Sequence, residues 1–343
     1  MIKEIVGNLL RGMAIGLANI IPGVSGGTMA LILGIYQRLI NAIGNLGPRT
    51  ITAPFRGLPA LKEELRRVDA LLLALLGAGA LSIIVAVARV MPYLLDRQHD
   101  PTYGFFFGLV LVSVLVPYKM IKRKGVAAVL ACLVAMALVV GLTMAMSGAD
   151  RLASAQQKAG LKAAAAAVEV APGTDAAGAA QAAAAAADRV PQDIGTLAFF
   201  FVAGAIAISA MILPGISGSF MLLLMGVYFD VLAAVNNRQL LLLGAFALGC
   251  LLGLLLFTRL LKYLLARFSD LTMAFLLGLV LGSLYAIWPF KSFGLAGGKR
   301  VDMDNILPAG CGSNELWTLA TVVAGGAIVA AFIWIEARQA REA

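Results

Sequence analysis

Two short segments hold the residues whose types and spacing could do chemistry. Pro22-Gly23-Val24-Ser25-Gly26-Gly27-Thr28 and Pro214-Gly215-Ile216-Ser217-Gly218-Ser219 each put a Pro-Gly pair in the middle of a long apolar stretch, 5–45 in the first case and 196–237 in the second. Proline removes an amide donor and glycine relaxes the backbone, so a helix entering either segment is expected to break there. A new helix then starts at Ser25 or Ser217. Its first amides lack intrahelical acceptors and carry the positive end of the helix dipole. Small residues let an anion approach those amides, and the hydroxyls of Ser25, Thr28, Ser217 and Ser219 add donors. The chemistry expected is capture of a phosphate or carboxylate. A tight turn in which the serine only caps the next helix is the competing reading. Further candidates around the breaks are Asn19, Ser209 and Arg11, with Arg89 and Arg259 as charge partners for an anionic head group or, equally, as interfacial cations. His99, the only histidine, stands beside Asp96 and Asp100 and reads as a solvated loop residue. Tyr36 and Tyr228 read as interfacial anchors.

These residues must be held by elements in a membrane. The 343 residues are 61% hydrophobic and only 13% charged, with a mean hydropathy of +0.93. A soluble domain of this size needs far more charge on its surface. The net charge of +9 does not indicate nucleic acid, because the Lys and Arg residues fall between apolar runs. Cys132 and Cys250 lie in apolar runs and Cys311 in a loop, with no CxxC spacing, so neither a disulfide framework nor a zinc site is supported. Arg11 interrupts the first apolar run, which is read as part of the mature chain rather than a signal peptide.

Full-length spans are expected at about 70–95, 102–118, 126–147, 239–261, 271–290 and 316–335. The arms of the broken stretches, 5–21 with 27–43 and 196–213 with 218–235, are read as short. Residues 148–194 form an Ala-rich, low-complexity linker with little to bury.

The chain repeats itself. Residues 12–45 align without a gap on 204–237, matching Pro22/Pro214, Ser25/Ser217, Gly34/Gly226 and Tyr36/Tyr228. Residues 89–113 align on 259–283, matching Arg89/Arg259, Arg97/Arg267, Asp100/Asp270 and Ser113/Ser283. The change of offset between the blocks puts an insertion in the first half, near 46–68. Arg11 faces Ala203 in this alignment and Asn19 faces Met211, so the halves are not chemically equivalent.

Loop charges set the orientation. Basic loops at 46–68 and 118–125 are expected to be cytoplasmic, which places the 148–194 linker in the periplasm and both termini in the cytoplasm; the segment 291–315, with Lys291, Lys299 and Arg300, is external. Irregular backbone at membrane depth is tolerated only inside protein or beside a water-filled cavity, so each broken stretch is read as a re-entrant hairpin. A hairpin that does not cross, plus three spans, inverts the second half relative to the first. The expected fold is an all-α polytopic membrane protein of two inverted repeats, 1–147 and 195–343, each a re-entrant broken-helix hairpin followed by three transmembrane helices.

The segments GLANIIPGVSGGTMALILGIYQRLI and AISAMILPGISGSFMLLLMGVY resemble the motifs of the PopT-type family of undecaprenyl (polyprenyl) phosphate translocases, first catalogued as a domain of unknown function. The similarity covers essentially the whole chain outside the Ala-rich linker. It implies transport of the carrier lipid of cell-wall synthesis across the bacterial inner membrane, with the lipid and the bilayer as partners and no nucleic acid. Relatives often carry Asp where this chain has Asn19. The chain has no GxxxxGK(S/T) motif, so ATP drive within it is not expected, and no cofactor is implied. Two alternatives stand beside this reading. A transporter of a small soluble anion would show the same tips. A lipid pyrophosphatase would need Glu and His gathered at the breaks, and neither break has one nearby.

Overall fold

The computed structural model describes residues 2–20, 25–87, 90, 94, 97–145, 148–149, 152–153, 155–156, 190–296, 299–308, 310 and 312–342. Pro22, Gly23 and Arg89, and most of the Ala-rich linker, lie outside the described residues.

The first half runs α1 (Ile2–Ile20), α2 (Gly26–Ile32), α3 (Tyr36–Gly44), α4 (Pro48–Thr52), a 3-10 turn (Ala53–Arg56), α5 (Leu58–Arg67), α6 (Ala70–Val87), α7 (His99–Ser113), α8 (Leu115–Met120) and α9 (Val126–Ala145). The second half runs α10 (Ile194–Ile212), α11 (Gly218–Leu224), α12 (Tyr228–Asn236), α13 (Leu240–Arg267), α14 (Ser269–Ala286), the strands β1 (Lys291–Ala296) and β2 (Lys299–Asn305), and α15 (Ser313–Glu342). The chain is an all-α polytopic membrane protein with one small extramembrane hairpin. Among the described residues seven helical stretches are long and apolar enough to cross a bilayer: Ala70–Val87, His99–Met120, Val126–Ala145, Ile194–Ile212, Leu240–Arg267, Ser269–Ala286 and Ser313–Ala331. A further pair, Gly218–Leu224 with Tyr228–Val235, is bent by 109°.

Three sequence expectations need correction here, the first being that the arm 5–21 is short: α1, Ile2–Ile20, has 19 residues. The arm 196–213 is not short: α10 has 19 residues and crossing length, because its run of Phe, Ala, Val and Ile meets no breaker before Pro214. The segment 291–315 is not simply a loop, since β1 and β2 pair antiparallel across it.

Both breaks are followed by a second turn that demands glycine. Gly34 has φ +67° and Gly226 φ +71°, the left-handed region that closes a helix end, and these positions match in the repeat alignment. Each ends a seven-residue helix, α2 or α11, and starts the next.

Four helix pairs make the body: α1 with α6, α10 with α13, α7 with α15, and α9 with α14. In each pair the backbones approach through glycine. Gly12 lies against the Leu76 carbonyl and Gly79 against that of Leu9; in the second half Gly204 lies against Phe246 and Gly249 against Phe201. Gly108 meets Val322, Gly325 meets Phe105, and Gly278 meets Cys132. These contacts run in register from the start of each partner, so all four pairs are parallel. Lipid supplies no hydrophobic drive between helices, and close backbone approach through small residues is what holds them. The last two pairs join one half to the other. Meanwhile α6, α9 and α13 leave apolar faces open, including Leu81, Val85, Val134, Leu252 and Leu256, as lipid contact allows. Helix α14 is the most buried span, and α2 contributes to both large core clusters that flank it.

Candidate functional site

The two breaks, nearly 190 positions apart in sequence, touch. Ser25 caps α2: its Oγ accepts from the Gly27 amide at 3.1 Å, while its hydroxyl donates to the Leu213 carbonyl at 3.1 Å. Thr28 Oγ1 accepts from the Gly215 amide at 3.0 Å. Tyr36 donates to the Ile212 carbonyl at 3.3 Å. The Ile212 and Leu213 carbonyls, left open where α10 ends ahead of Pro214, are thus satisfied from the first half, as orphan groups at a buried helix end must be. Gly27 packs so closely that a Cβ there would lie 2.5 Å from the Ile212 carbonyl oxygen, and one at Gly215 (φ +81°) would lie 2.5 Å from that of Leu279. Tyr36 is 3% exposed, so the reading of it as an interfacial anchor is overturned: its hydroxyl is a brace between the halves.

The tips are unequal. On the first, Gly26 donates to Asn19 Oδ1 at 2.9 Å, so the amides of Gly26 and Gly27 both have side-chain acceptors. On the second, Ser217 makes no side-chain cap; its hydroxyl meets that of Ser219 at 3.0 Å, with Ser217 half-buried and Ser219 exposed. Pro214 and Gly218 are buried beneath them, a Cβ at Gly218 falling 2.7 Å from the Ala207 carbonyl. On the first tip the Gly26 and Gly27 amides are taken by Asn19 and Ser25, the Ser25 hydroxyl donates to the end of α10 and Thr28 accepts from the second tip, whereas on the second tip the Ser217–Ser219 hydroxyl pair lies at a partly open face.

Other candidates sit elsewhere. Ser209 is turned back on its own helix, donating to the Ala205 carbonyl at 2.7 Å. Arg11 donates to Asn8 Oδ1 at 3.0 Å, three residues before it. Arg259 donates to the Leu46 carbonyl at 2.8 Å, and its neighbour Lys262 to Asn45 Oδ1 at 2.6 Å. Both cations sit at the C-terminal end of α3, where the helix dipole favours them. The structure does not bring Arg259 to the breaks.

Sequence reasoning missed a second constellation. His99 is 6% exposed, not solvated. Its Nδ1 faces Asp100 at 2.8 Å and its Nε2 faces Asp302 at 2.9 Å, while the ring stacks on Tyr103. Carboxylates only accept, so a ring bonded to both donates from both nitrogens and is an imidazolium. Arg300 reaches Asp302 at 3.3 Å and Asp100 at 3.6 Å, and Asn314 donates to the far oxygen of Asp100 at 2.8 Å. Burial alone would raise the Asp302 carboxyl, but the His99 hydrogen bond and the charges of His99, Lys291 and Arg300 outweigh it and hold Asp302 below the usual carboxylate range. The repeat has a counterpart: Asp270, which matches Asp100, accepts from the Lys122 and Arg123 amides at 2.9 and 3.2 Å. Each aspartate thus grips the α–α connection of the opposite half. The Asp100/Asp270 match was the one signal in the sequence.

A prediction follows from the sign of the Asp302 shift. Its stabilisation is present above the unfolded value and is lost as pH falls through the depressed folded one. Protection of the amides across Lys291–Asn305, the slowing of their exchange relative to an unstructured chain at the same pH, is expected to be high at pH 7 and to fall below about pH 4. His99→Gln should lower that protection roughly ten-fold at pH 7; unchanged protection in that variant would refute the network as the hairpin's anchor.

Residues 15–297 match the VCA0040-like family, described as undecaprenyl phosphate translocase-like. A polyprenyl-phosphate transporter of Vibrio cholerae serotype O1 is 36% identical over 283 residues, covering 82% of this chain and 77% of the relative. A polyprenyl-phosphate transporter of Staphylococcus aureus is 31% identical over 296 residues, covering 82% of this chain and 86% of the relative. No solved structure matches the chain.

Proposed function

The chain belongs to the undecaprenyl phosphate translocase-like family, and from that premise we propose that it carries a polyprenyl phosphate across the bacterial cytoplasmic membrane, with the phosphate held at the second break. The family is one of transporters and not of enzymes. The observation that carries the site is the inequality of the tips: Ser25, Thr28 and Tyr36 brace the end of α10, which leaves Ser217, Ser219 and the first amides of α11 to receive an anion. A lipid phosphate moving through hydrocarbon loses its water, and hydroxyls and helix-start amides replace it while the tail stays in lipid.

The repeats are inverted in this reading, each a broken hairpin that enters and leaves on one face, followed by three spans. Support comes from the parallel pairs. The start of α6 lies level with that of α1, and the start of α13 with that of α10, so each hairpin returns to the face it began on. Helix α9 leads back from the end of α8 and runs parallel to α14, whereas α7 runs parallel to α15; the matched helices α7 and α14 thus point oppositely. Alternating exposure of the site is then a rocking of one half against the other about the braced tips. The basic connections at 46–68 and 118–125 favour a cytoplasmic face for both, with the two termini on that side and the 148–194 linker outside.

The test is transport of labelled undecaprenyl phosphate in vesicles reconstituted with the full chain. Protein-dependent flipping is expected, and Ser217→Leu with Ser219→Leu should slow it at least ~100-fold with the fold intact, because apolar bulk replaces the donors. Flipping no faster than in empty vesicles sinks the proposal. Protein-dependent uptake of free phosphate instead would move the substrate to a small anion.

A further inference from the structure

The element that breaks the symmetry of the halves has a partner of its own. Where the second half passes from Asn237 to α13 in a few residues, the first half inserts α4, the 3-10 turn and α5 between Asn45 and α6. Its polarity is inside out. Ile51, Phe55 and Leu58 are 73%, 88% and 72% exposed, and Leu65 continues the outward stripe from Leu58 at helical spacing. The carboxylate Glu64 points inward and is only 7% exposed; it accepts from Arg67 at 2.6 Å and from Thr50 at 2.6 Å. Those two bonds, Arg67 first, pull its carboxyl down to about 2. A carboxylate held inward beneath outward leucine and phenylalanine is not how a helix faces water.

Position decides what lies outside. The insertion leaves from Asn45, which takes Lys262 near the end of α13, and returns at Ala70, the first residue of α6. Lys262 lies in the last two turns of one membrane-crossing helix and Ala70 opens another, so the insertion lies at the level of a bilayer surface. Charge decides which surface. Arg49, Arg56, Lys62 and Arg66 are exposed beside the apolar stripe, against the single exposed acid Glu63, since Glu64 is taken by Arg67 and Asp69 by Arg38. Exposed apolar residues interleaved with cations on a short amphipathic element match an interface of acyl chains and anionic head groups.

We infer that residues 48–67 form an interfacial anchor that lies on the bilayer with Ile51, Phe55 and Leu58 in the acyl boundary and Arg56, Lys62 and Arg66 on anionic lipid head groups. The anchor holds the first half to the membrane at a place where the second half, passing directly from Asn237 to α13, has no inserted element. The inference depends on the chain spanning a bilayer and not on which substrate it carries.

The experiment uses the full chain in nanodiscs, with Phe55→Trp and, as a second variant, Leu58→Trp, read as emission added over that of the parent chain. Lipids brominated high on the acyl chain are expected to quench the added emission roughly two-fold more than lipids brominated near the chain end. Amide exchange over 48–67 should be about five-fold slower in discs containing phosphatidylglycerol than in purely zwitterionic discs, and the triple variant Arg56→Gln, Lys62→Gln, Arg66→Gln should erase that difference. Emission quenched by aqueous iodide and by neither brominated lipid would overturn the anchor. Quenching by lipid with no dependence on phosphatidylglycerol would overturn the head-group assignment. Protection that appears only in discs holding two copies would assign the face to a second copy of the chain and overturn the inference.

Discussion

Replacing Gly27 with leucine is expected to stop polyprenyl phosphate transport, lowering the protein-dependent flipping rate at least ~100-fold. Even the first carbon of a side chain would sit 2.5 Å from the Ile212 carbonyl oxygen and 3.3 Å from the carbonyl carbon of Leu213, which are backbone and cannot swing aside. The tips must separate, and Ser25 and Thr28 then lose their partners on the other half. Overpacking of this kind costs about 1–3 kcal/mol of stability, so the variant should still fold while losing its function. Thr28→Val is the milder companion. It keeps the shape, removes the acceptor of the Gly215 amide and leaves that group unpaired, a cost of about 1–3 kcal/mol. Its flipping rate should fall about ten-fold, between the parent and Gly27→Leu. Vesicle flipping beside a melting curve separates the two effects. A Gly27→Leu protein that melts near the parent temperature and flips at the parent rate would show that contact between the tips is not needed for transport.

The second large effect concerns the helix pairs. Gly249→Val and Gly108→Val should each destabilise the protein by about 3 kcal/mol or more, because each new side chain would meet a backbone carbonyl of the partner helix, Phe201 in one case and Val322 in the other. The positions differ in consequence. Gly249 lies within one half, between α10 and α13, whereas Gly108 lies between α7 and α15 and joins the halves. Gly108→Val is therefore expected to impair transport even under conditions where the fold survives, and Gly249→Val to impair it only in proportion to unfolding. Thermal unfolding in detergent and flipping at low temperature would tell them apart. Melting temperatures indistinguishable from the parent for both variants would mean that these backbones do not approach as described. Gly77 and Gly244, against which an added carbon would meet nothing, provide the controls.

Much of this is legible in the amino-acid sequence. Sparse charge and long apolar runs require a membrane because nothing else covers that much hydrocarbon. The Pro-Gly pairs require breaks because proline has no amide to donate and its ring obstructs the preceding turn. The gapless match of 12–45 to 204–237 identified the two halves, and the glycines at 34 and 226 carry the same left-handed turn in both. These are local properties, set within a few residues of where they act. The arm 196–213 is longer than the Pro-Gly break after it suggests, because its apolar run is by itself long enough to cross.

What only the tertiary structure decided is contact between residues far apart in the chain. His99 looks solvated among its sequence neighbours, and it is buried because Asp302, more than two hundred positions on, comes to its other nitrogen. Tyr36 has the look of an interfacial anchor until the end of α10 arrives above it. Arg259 is a free cation in sequence, and α3 ends beside it. The two PG(V/I)SG tips are near-copies in residue type, so sequence alone offers both as anion sites of equal standing. Packing makes them different. Ser25 and Tyr36 of the first half satisfy carbonyls at the end of α10 and Thr28 accepts the Gly215 amide, whereas the Ser217 and Ser219 hydroxyls of the second tip meet each other. The sequence by itself determined that the chain lies in a membrane, that it is built of two related halves, and that both halves break where small polar residues begin a helix. Which break braces the other was decided by the fold, because a buried hydrogen-bonding group must find a partner and the nearest one lies on the other half.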